Sequence, residues 1–356
     1  MRGVLFVACN HPLKAFPIGR TENDKVKYKI CSYEVDHLEK IGNEWKKILT
    51  PDIVIRDNFV TDFVKIPCGR CLGCRLEYSK KWSERLLAEK VTSSSALFLT
   101  FTYNDDSIPY SIIENKDFGD IIECYYTLCK KDFQDFWKRL RYHFRYHPEK
   151  ISYFLCGEYG TATFRPHGHA IVYNLPVLEL ELDYYKTIRG HVYYKSRVLD
   201  NIWSNGFVTV SDFSLQNAAY VARYTMKKAG LKSKEVNDEY VDHGLCPEFL
   251  CMSRRPGIGS AFYDIYKERL MNEDRLFFGD ESGSVSLGRN RFFNKKLEKD
   301  FGDTYELWKS QMIDLANAKF DAELMRTDLD ELEYLRIREE SLKNKTRILK
   351  RRDLDA

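Results

Sequence analysis

The amino-acid sequence predicts an α+β fold, with a central antiparallel β-sheet flanked by helices. Three observations carry that expectation. Strand-like and helix-like runs are mixed without a regular βαβ alternation, which argues against a parallel sheet. The run Ala96-Leu97-Phe98-Leu99-Thr100-Phe101-Thr102-Tyr103 is rich in aromatic and β-favouring residues, is stopped by Asn104-Asp105-Asp106, and reads as a buried strand. Two more strands, Ile151 to Cys156 and Arg165 to Tyr173, are joined by a short loop around Gly157 and Gly160 and are expected to form a hairpin.

Along the chain, residues 1–75 are short-run and turn-rich and end in Pro67-Cys68-Gly69-Arg70-Cys71-Leu72-Gly73-Cys74-Arg75. From Leu76 to about Val91, Trp82, Leu86 and Leu87 recur at helical spacing, so a helix leaves the cysteine cluster directly. Lys131 to Tyr146 is amphipathic. Phe133, Phe136, Trp137, Leu140 and Phe144 form its apolar stripe, and Arg139, Arg141 and Arg145 line a solvated face. Phe207 to Val210 reads as a strand and Ser214 to Lys228 as a second helix. After Gly230 the pattern weakens, and Leu307 to Arg352 is densely charged and helical. The expected division is a Cys-rich N-terminal region, 1–92, a central domain, 93–260, and a charged helical region, 261–356.

Composition narrows the function. The 356 residues are 44% hydrophobic and 14% aromatic, enough for a sizeable core. Fifty-six Lys+Arg against fifty-three Asp+Glu give +3, so a nucleic-acid surface would be a local patch on a balanced protein. No apolar run approaches the roughly 18 residues of a membrane span. The apolar stretch Val4 to Ala8 is too short for a secretory core, so neither a membrane nor a secreted protein is expected. Reduced thiols are then the expectation for the ten cysteines, and Cys68, Cys71 and Cys74 read as a metal site rather than a disulfide framework. A structural Zn²⁺ takes four ligands, so one is missing locally. Cys9, Cys31 and His11 are the candidates, and the alternative is three thiols without metal.

Two constellations carry chemistry. On a strand, residues two apart share a face, so His167 and His169 can offer both imidazoles to one ion. If the hairpin turns near Ala162 and Thr163, Glu158 falls opposite His167. Two imidazoles and a carboxylate suit a divalent cation with open positions. A His-x-His pair also fits an exposed edge strand. Tyr220, Tyr224 and Lys228 are four apart and line one face of a helix. A tyrosine hydroxyl, weak at its free pKa, becomes a nucleophile beside a cation that lowers that pKa. The same spacing also suits a core-facing aromatic pair.

In order and spacing, Phe98 to Tyr103, Gly157-Glu158 through Arg165-Pro166-His167-Gly168-His169, and Tyr220-Val221-Ala222-Arg223-Tyr224 through Lys228 resemble the three motifs of HUH endonucleases. More narrowly, the chain resembles the two-tyrosine replication initiators of the Microviridae, above all their gokushovirus branch. That branch also carries a Pro-Cys-Gly-x-Cys-x-x-Cys-Arg cluster, here Pro67 to Arg75, and a Ser-Arg-Arg-Pro-Gly-Ile-Gly segment, here Ser253 to Gly259. The likeness covers roughly Cys9 to Gly259.

The resemblance implies an α+β HUH domain over 93–260 and a site-specific nickase and ligase that starts and ends rolling-circle replication of a small circular single-stranded DNA phage genome. His167, His169 and Glu158 would bind Mg²⁺ or Mn²⁺. Tyr220 and Tyr224 would attack the scissile phosphate in turn, leaving a 5′-phosphotyrosine link and a free 3′-OH, and Lys228 would bind a phosphate or stabilise a phenolate. Cys9 is favoured as fourth zinc ligand because gokushovirus-type sequences begin with a Cys and a nearby Pro. Arg165, Arg223, Arg254 and Arg255 are the DNA-binding candidates. Host DNA helicase and DNA polymerase would be partners in the bacterial cytoplasm. Gly168 stands where the family carries a bulky hydrophobic residue, so a loss of packing and strand propensity is expected there. A transposase or plasmid initiator of the same chemistry, and a non-catalytic zinc-stabilised nucleic-acid-binding protein, are the alternatives.

Overall fold

A computed structural model describes residues 9–22, 24, 26–51, 56–114, 121–160, 163–230, 240, 243–280 and 283–354, the side chains of 114, 121–123, 224–230, 280, 283 and 348–354 excepted. The chain divides into two compact units, one made of residues 1–77 with 295–356 and the other of 78–294. Segments that sequence order separates, at the two ends of the chain, therefore share one unit.

In that first unit the turn-rich N-terminal stretch forms two small sheets. Strands β1 (Leu13–Arg20), β2 (Val26–Ser32) and β6 (Val64–Ile66) make one, in the order β2-β1-β6. Strands β3 (His37–Ile41), β4 (Glu44–Ile48) and β5 (Phe59–Val60) make the other, in the order β4-β3-β5. A small core of Phe16, Cys31, Val35 and Leu38 holds them, with Trp45, Val60 and Phe63 packed against it. The C-terminal helix (Glu331–Leu354) is tied to this sheet by one carboxylate. Glu331 accepts from Lys65 Nζ at 2.7 Å and from Tyr33 Oη at 2.5 Å.

The second unit begins within helix α1 (Leu72–Val91), at Tyr78, the residues before it belonging to the first unit. Its centre is a seven-stranded antiparallel sheet of β7 (Ala96–Tyr103), β10 (Ser152–Tyr159), β11 (Pro166–Tyr173), β12 (Leu182–Ile188), β13 (His191–Ser196), β14 (Gly206–Asp212) and β15 (Phe249–Met252). The order is β12-β13-β14-β7-β11-β10-β15. Strands β8 (Tyr110–Glu114) and β9 (Ile121–Tyr126) pair outside it. The expected strand Ala96–Tyr103 and the expected hairpin are both present, and the fold is the predicted α+β architecture. Among the described residues no helix is long and apolar enough to cross a membrane.

Alternation along β7 explains how the sheet is sandwiched. Leu97, Leu99, Phe101 and Tyr103 face one side and meet Phe133, Phe136, Trp137 and Leu140 of α2 (Lys130–His143) and Trp203 of α3 (Arg197–Trp203). Phe98 faces the other side with Phe154, Cys156, Ile171 and Tyr173, under Ala218, Val221 and Ala222 of α4 (Leu215–Gly230). Full burial of each large apolar side chain contributes about 1.5–3 kcal/mol, so both faces are pinned and the register cannot slip. Helix α4 begins where its sequence says it should, because the Ser214 hydroxyl accepts from the Asn217 N–H at 3.0 Å. On this α4 face Thr100 and Thr102 interrupt the apolar pattern, and the functional groups gather beside them.

Beyond β15 the second unit carries α5 (Ser260–Asn272) and the hairpin β16 (Arg275–Asp280) with β17 (Gly283–Gly288). Helix α6 (Arg291–Leu324) is broken at Gly302, and the C-terminal helix, α7, follows it.

Candidate metal centre and nucleophile

Backbone pairing places the two histidines and the glutamate. Strands β10 and β11 run in register with Glu158 opposite His167, Gly157 opposite Gly168 and Cys156 opposite His169. Strand β7 lies on the other side of β11, with Thr102 opposite His167 and Thr100 opposite His169. Period-two alternation then puts Glu158, His167, His169, Thr100 and Thr102 on the α4 face.

One carboxylate oxygen is the point of convergence. Glu158 is 1% exposed, and its Oε1 lies 3.0 Å from His167 Nε2, 2.9 Å from His169 Nε2 and 2.8 Å from the donating Tyr220 hydroxyl of α4. The outer ring nitrogens are held as well. His167 Nδ1–H donates to the Arg165 carbonyl at 3.0 Å, and His169 Nδ1 pairs with the Thr100 hydroxyl at 3.0 Å. Phe98 stacks on the His169 ring at 5.4 Å. Both imidazoles are thereby oriented with Nε2 inward, the usual device for aiming histidine ligands at a metal.

Electrostatics follow from this packing. Burial alone would raise the Glu158 carboxyl, but hydrogen bonds and charge from His167 and His169 outweigh it and hold the group at about 2. For His167, burial lowers the value, yet the bonds to Glu158 and to the Arg165 carbonyl win and raise it above 6.5. For His169 burial wins and the value falls below 6.5. The Tyr220 hydroxyl is pushed up by burial first and then by the Glu158 charge and hydrogen bond, so it stays protonated.

The residues fit a divalent cation. The ligand atoms of Glu158, His167 and His169 all lie within 4.8 Å of one another. Among the described residues Glu158 Oε2 is buried without a hydrogen-bond partner, a state costing about 1–3 kcal/mol that a cation would relieve. Nitrogen and carboxylate donors together suit a metal of the Mg²⁺, Mn²⁺ or Zn²⁺ class rather than a soft thiophilic one.

A second group lies in the other unit, where Cys9, Cys68, Cys71 and Cys74 converge. Cys9 Sγ is 3.8 Å from Cys68 Sγ, and Cys68 Sγ is 4.0 Å from Cys74 Sγ. Four sulfurs at about 2.3 Å from one zinc would stand about 3.8 Å apart, so the spacing is that of a tetrahedral thiolate site. Backbone amides of Asn10, Cys68, Arg70, Cys71 and Cys74 donate to these sulfurs at 3.3–3.5 Å. The other candidates for the fourth position are engaged elsewhere: Cys31 is core, and His11 pairs with Glu339 at 3.0 Å.

The family of replication-associated proteins of the ORF2 type matches residues 96–229. That stretch holds Thr100, Glu158, His167, His169 and Tyr220. Over that stretch the chain is similar to replication-associated proteins of small phages. It is 29% identical over 305 residues to "Replication-associated protein ORF2" of Spiroplasma virus 4, covering 85% of this chain and 83% of that one. It is 27% identical over 203 residues to "Replication-associated protein VP4" of Bdellovibrio phage phiMH2K, covering 57% and 59%. Against "Replication-associated protein ORF4" of Chlamydia phage 1 it is 32% identical over 167 residues, covering 46% and 38%. No solved structure matches the chain.

The remaining candidate residues are spread more widely. Tyr224 and Lys228 continue helix α4 at one and two further steps of four, and their side chains lie outside the described residues. Arg223 lies over the Tyr220 ring at 5.8 Å. Arg165 is committed to the Tyr103 carbonyl at 2.9 Å and to Asp105 at 2.7 Å, bracing the turn beside His167. Arg254 and Arg255 are exposed at the far end of the sheet. Arg139 is structural: it donates to the Ile202 and Trp203 carbonyls at 2.7 and 2.9 Å, closing the end of α3.

Gly168 does not leave packing unfilled. A Cβ there would sit 2.4 Å from Phe133 Cε1, and one at Gly157, its partner across the hairpin, 2.8 Å from Phe249 Cζ. The two glycines let aromatic rings press against the backbone under the metal centre. Thr100, whose hydroxyl pairs with His169 Nδ1, is the candidate-site residue that sequence reasoning missed. A polar residue facing the histidines from an otherwise apolar strand was the available signal.

Proposed function

We propose that this protein nicks and rejoins single-stranded DNA at the origin of a small circular phage genome, through a 5′-phosphotyrosine intermediate, starting and ending rolling-circle replication. The observation that supports it best is the meeting of Tyr220 Oη, His167 Nε2 and His169 Nε2 at one Glu158 oxygen.

Glu158, His167 and His169 would hold Mg²⁺ or Mn²⁺. A cation bound there would polarise the scissile phosphate and offset the Glu158 charge that keeps the Tyr220 hydroxyl protonated. Tyr220 approaches from α4 with its proton already directed at Glu158 Oε1. Its oxygen forms the new bond to phosphorus as the bond to the 3′-oxygen breaks. The phenol proton passes to the carboxylate side and from there to the leaving 3′-oxygen, giving the free 3′-OH that primes synthesis. Phe98 and Thr100 keep the His169 ring in place, and the Arg165 carbonyl does the same for His167. Tyr224, one helical turn on, would take the second attack that closes the circle, with Lys228 on the phosphate or the phenolate. The cysteine group would hold one structural Zn²⁺ and take no part in the chemistry. Host helicase and polymerase would extend the freed end in the bacterial cytoplasm.

Cleavage of cognate origin DNA with Mn²⁺ and with a chelator tests this reading. Cleavage with Mn²⁺ that the chelator abolishes, and that Glu158→Ala removes, is the expected result. DNA binding without cleavage under any metal would leave a non-catalytic binding protein instead.

A further inference from the structure

Two arginine groups more than a hundred residues apart meet at the end of the sheet opposite the Glu158 centre. Ser253 N–H donates to the Tyr153 carbonyl at 2.9 Å, so the loop after β15 leaves the sheet beside the start of β10, whereas Glu158 stands near that strand's end. The five residue steps from Tyr153 to Glu158 span about 17 Å, and Tyr153 faces α2 rather than α4. At this remote end Arg141 Nη2 lies 3.4 Å from Ser253 Oγ, with its guanidinium 5.3 Å from the Tyr153 ring. Lys150 Nζ donates to the Arg255 carbonyl at 2.5 Å.

The loop is braced rather than loose. Arg85 Nε donates to the Ile258 carbonyl at 2.8 Å, and Glu89 accepts from Gly259 N–H at 2.5 Å. Following Arg141 in the chain, Tyr142 and Tyr146 are 69% and 86% exposed, and the Arg145 guanidinium lies 4.6 Å from each ring. Arg141, Arg145, Arg254 and Arg255 are all exposed, and among the described residues none of them is in an ion pair. The bordering carboxylate, Glu149, takes a hydrogen bond from the Ser94 hydroxyl.

We propose that this end of the sheet is a second nucleic-acid surface, separate from the metal centre, that holds single-stranded DNA by stacking unpaired bases on Tyr142 and Tyr146 and pairing phosphates with the arginines. Exposed aromatic rings interleaved with unpaired arginines suit a single strand, whose bases are free to stack. A duplex offers the same phosphates but keeps its bases paired. The proposal rests on the DNA-binding reading above and extends it to a second point of attachment for the strand.

The test measures binding of a long labelled oligothymidine, and separately of a duplex, to the full chain across a salt series. Arg254→Ser/Arg255→Ser is expected to lower the log–log salt slope for the single strand by about 1.4, two phosphate contacts at about 0.7 each. Tyr142→Ala/Tyr146→Ala, at and just past the exposed end of α2, is expected to weaken single-strand binding by about five- to a hundred-fold per lost stack while leaving that slope in place. Cleavage of a short oligonucleotide spanning only the nick site should match the parent in Tyr142→Ala/Tyr146→Ala. Parent-like single-strand affinity and slope in both variants overturn the proposal, and a loss confined to the duplex overturns the single strand as occupant. A parent chain that binds neither probe removes the DNA-binding reading itself.

Discussion

Gly168→Ala probes how the histidine strand is supported. A Cβ at this position meets the Phe133 ring at 2.4 Å, more than 1 Å inside the 3.5–4.0 Å of comfortable carbon contact. The ring has nowhere to retreat, because Phe101, Trp203 and Phe249 surround it at centroid distances of 5.7, 5.1 and 5.8 Å. Overpacking of this kind costs about 1–3 kcal/mol, and replacing a strand glycine returns about 0.5–1, so a net loss of about 1–2 kcal/mol is expected. For a unit of this size that is a fall in Tm of about 2–8 °C by calorimetry. Phe133→Ala alone should cost about 3–5 kcal/mol, and the double variant should be less destabilised than the sum of the two. A Gly168→Ala protein as stable as the parent, or strictly additive losses in the cycle, would refute the claim that Phe133 occupies the space the glycine leaves.

Three further outcomes follow from the same geometry. Metal analysis should find about one zinc per chain, and Cys71→Ser should lose it, since three thiolates leave a tetrahedral site incomplete; full zinc retention would contradict the four-cysteine assignment. Mn²⁺ affinity, measured by titration calorimetry, should fall by about tenfold per pH unit once the pH drops below the raised His167 value, because only the unprotonated ring can bind metal. Glu158, held at about 2, adds no proton competition until far lower pH. An affinity flat from pH 8 to pH 5 would count against His167 as a ligand. Arg139→Ala should lower Tm by about 2–4 °C, the equivalent of about 1 kcal/mol from lost bonds to α3, and leave single-strand binding untouched. A selective loss of DNA binding would reverse that assignment.

What the sequence made legible was mostly local. Strand β7 could be read because eight consecutive residues are apolar, aromatic or β-branched. The pairing of Glu158 with His167 could be read because a short turn fixes the register of both strands. Cys9 could be named as fourth thiolate through the family's pattern, and the structure brings it to the other three. Other features depend on distant partners. Nothing near Gly168 announces that Phe133 needs its space, and nothing near Arg139 announces the end of α3. The hairpin β12–β13 escaped notice because nearly all of β12 is exposed, which erases the period-two signal. The joining of residues 1–77 with 295–356 is likewise a tertiary fact, carried in part by Glu331 meeting Lys65 and Tyr33.

The central claim is that a tyrosine of α4 becomes covalently joined to DNA beside the Glu158–His167–His169 centre. The most direct measurement is to incubate the protein with cognate origin single-stranded DNA and Mn²⁺, digest the product, and sequence the nucleotide-bearing peptide by mass spectrometry. The account predicts a metal-dependent adduct on Tyr220 or Tyr224 that disappears in the Tyr220→Phe/Tyr224→Phe double variant. An adduct on any other residue, or DNA bound with no adduct at all, would contradict it.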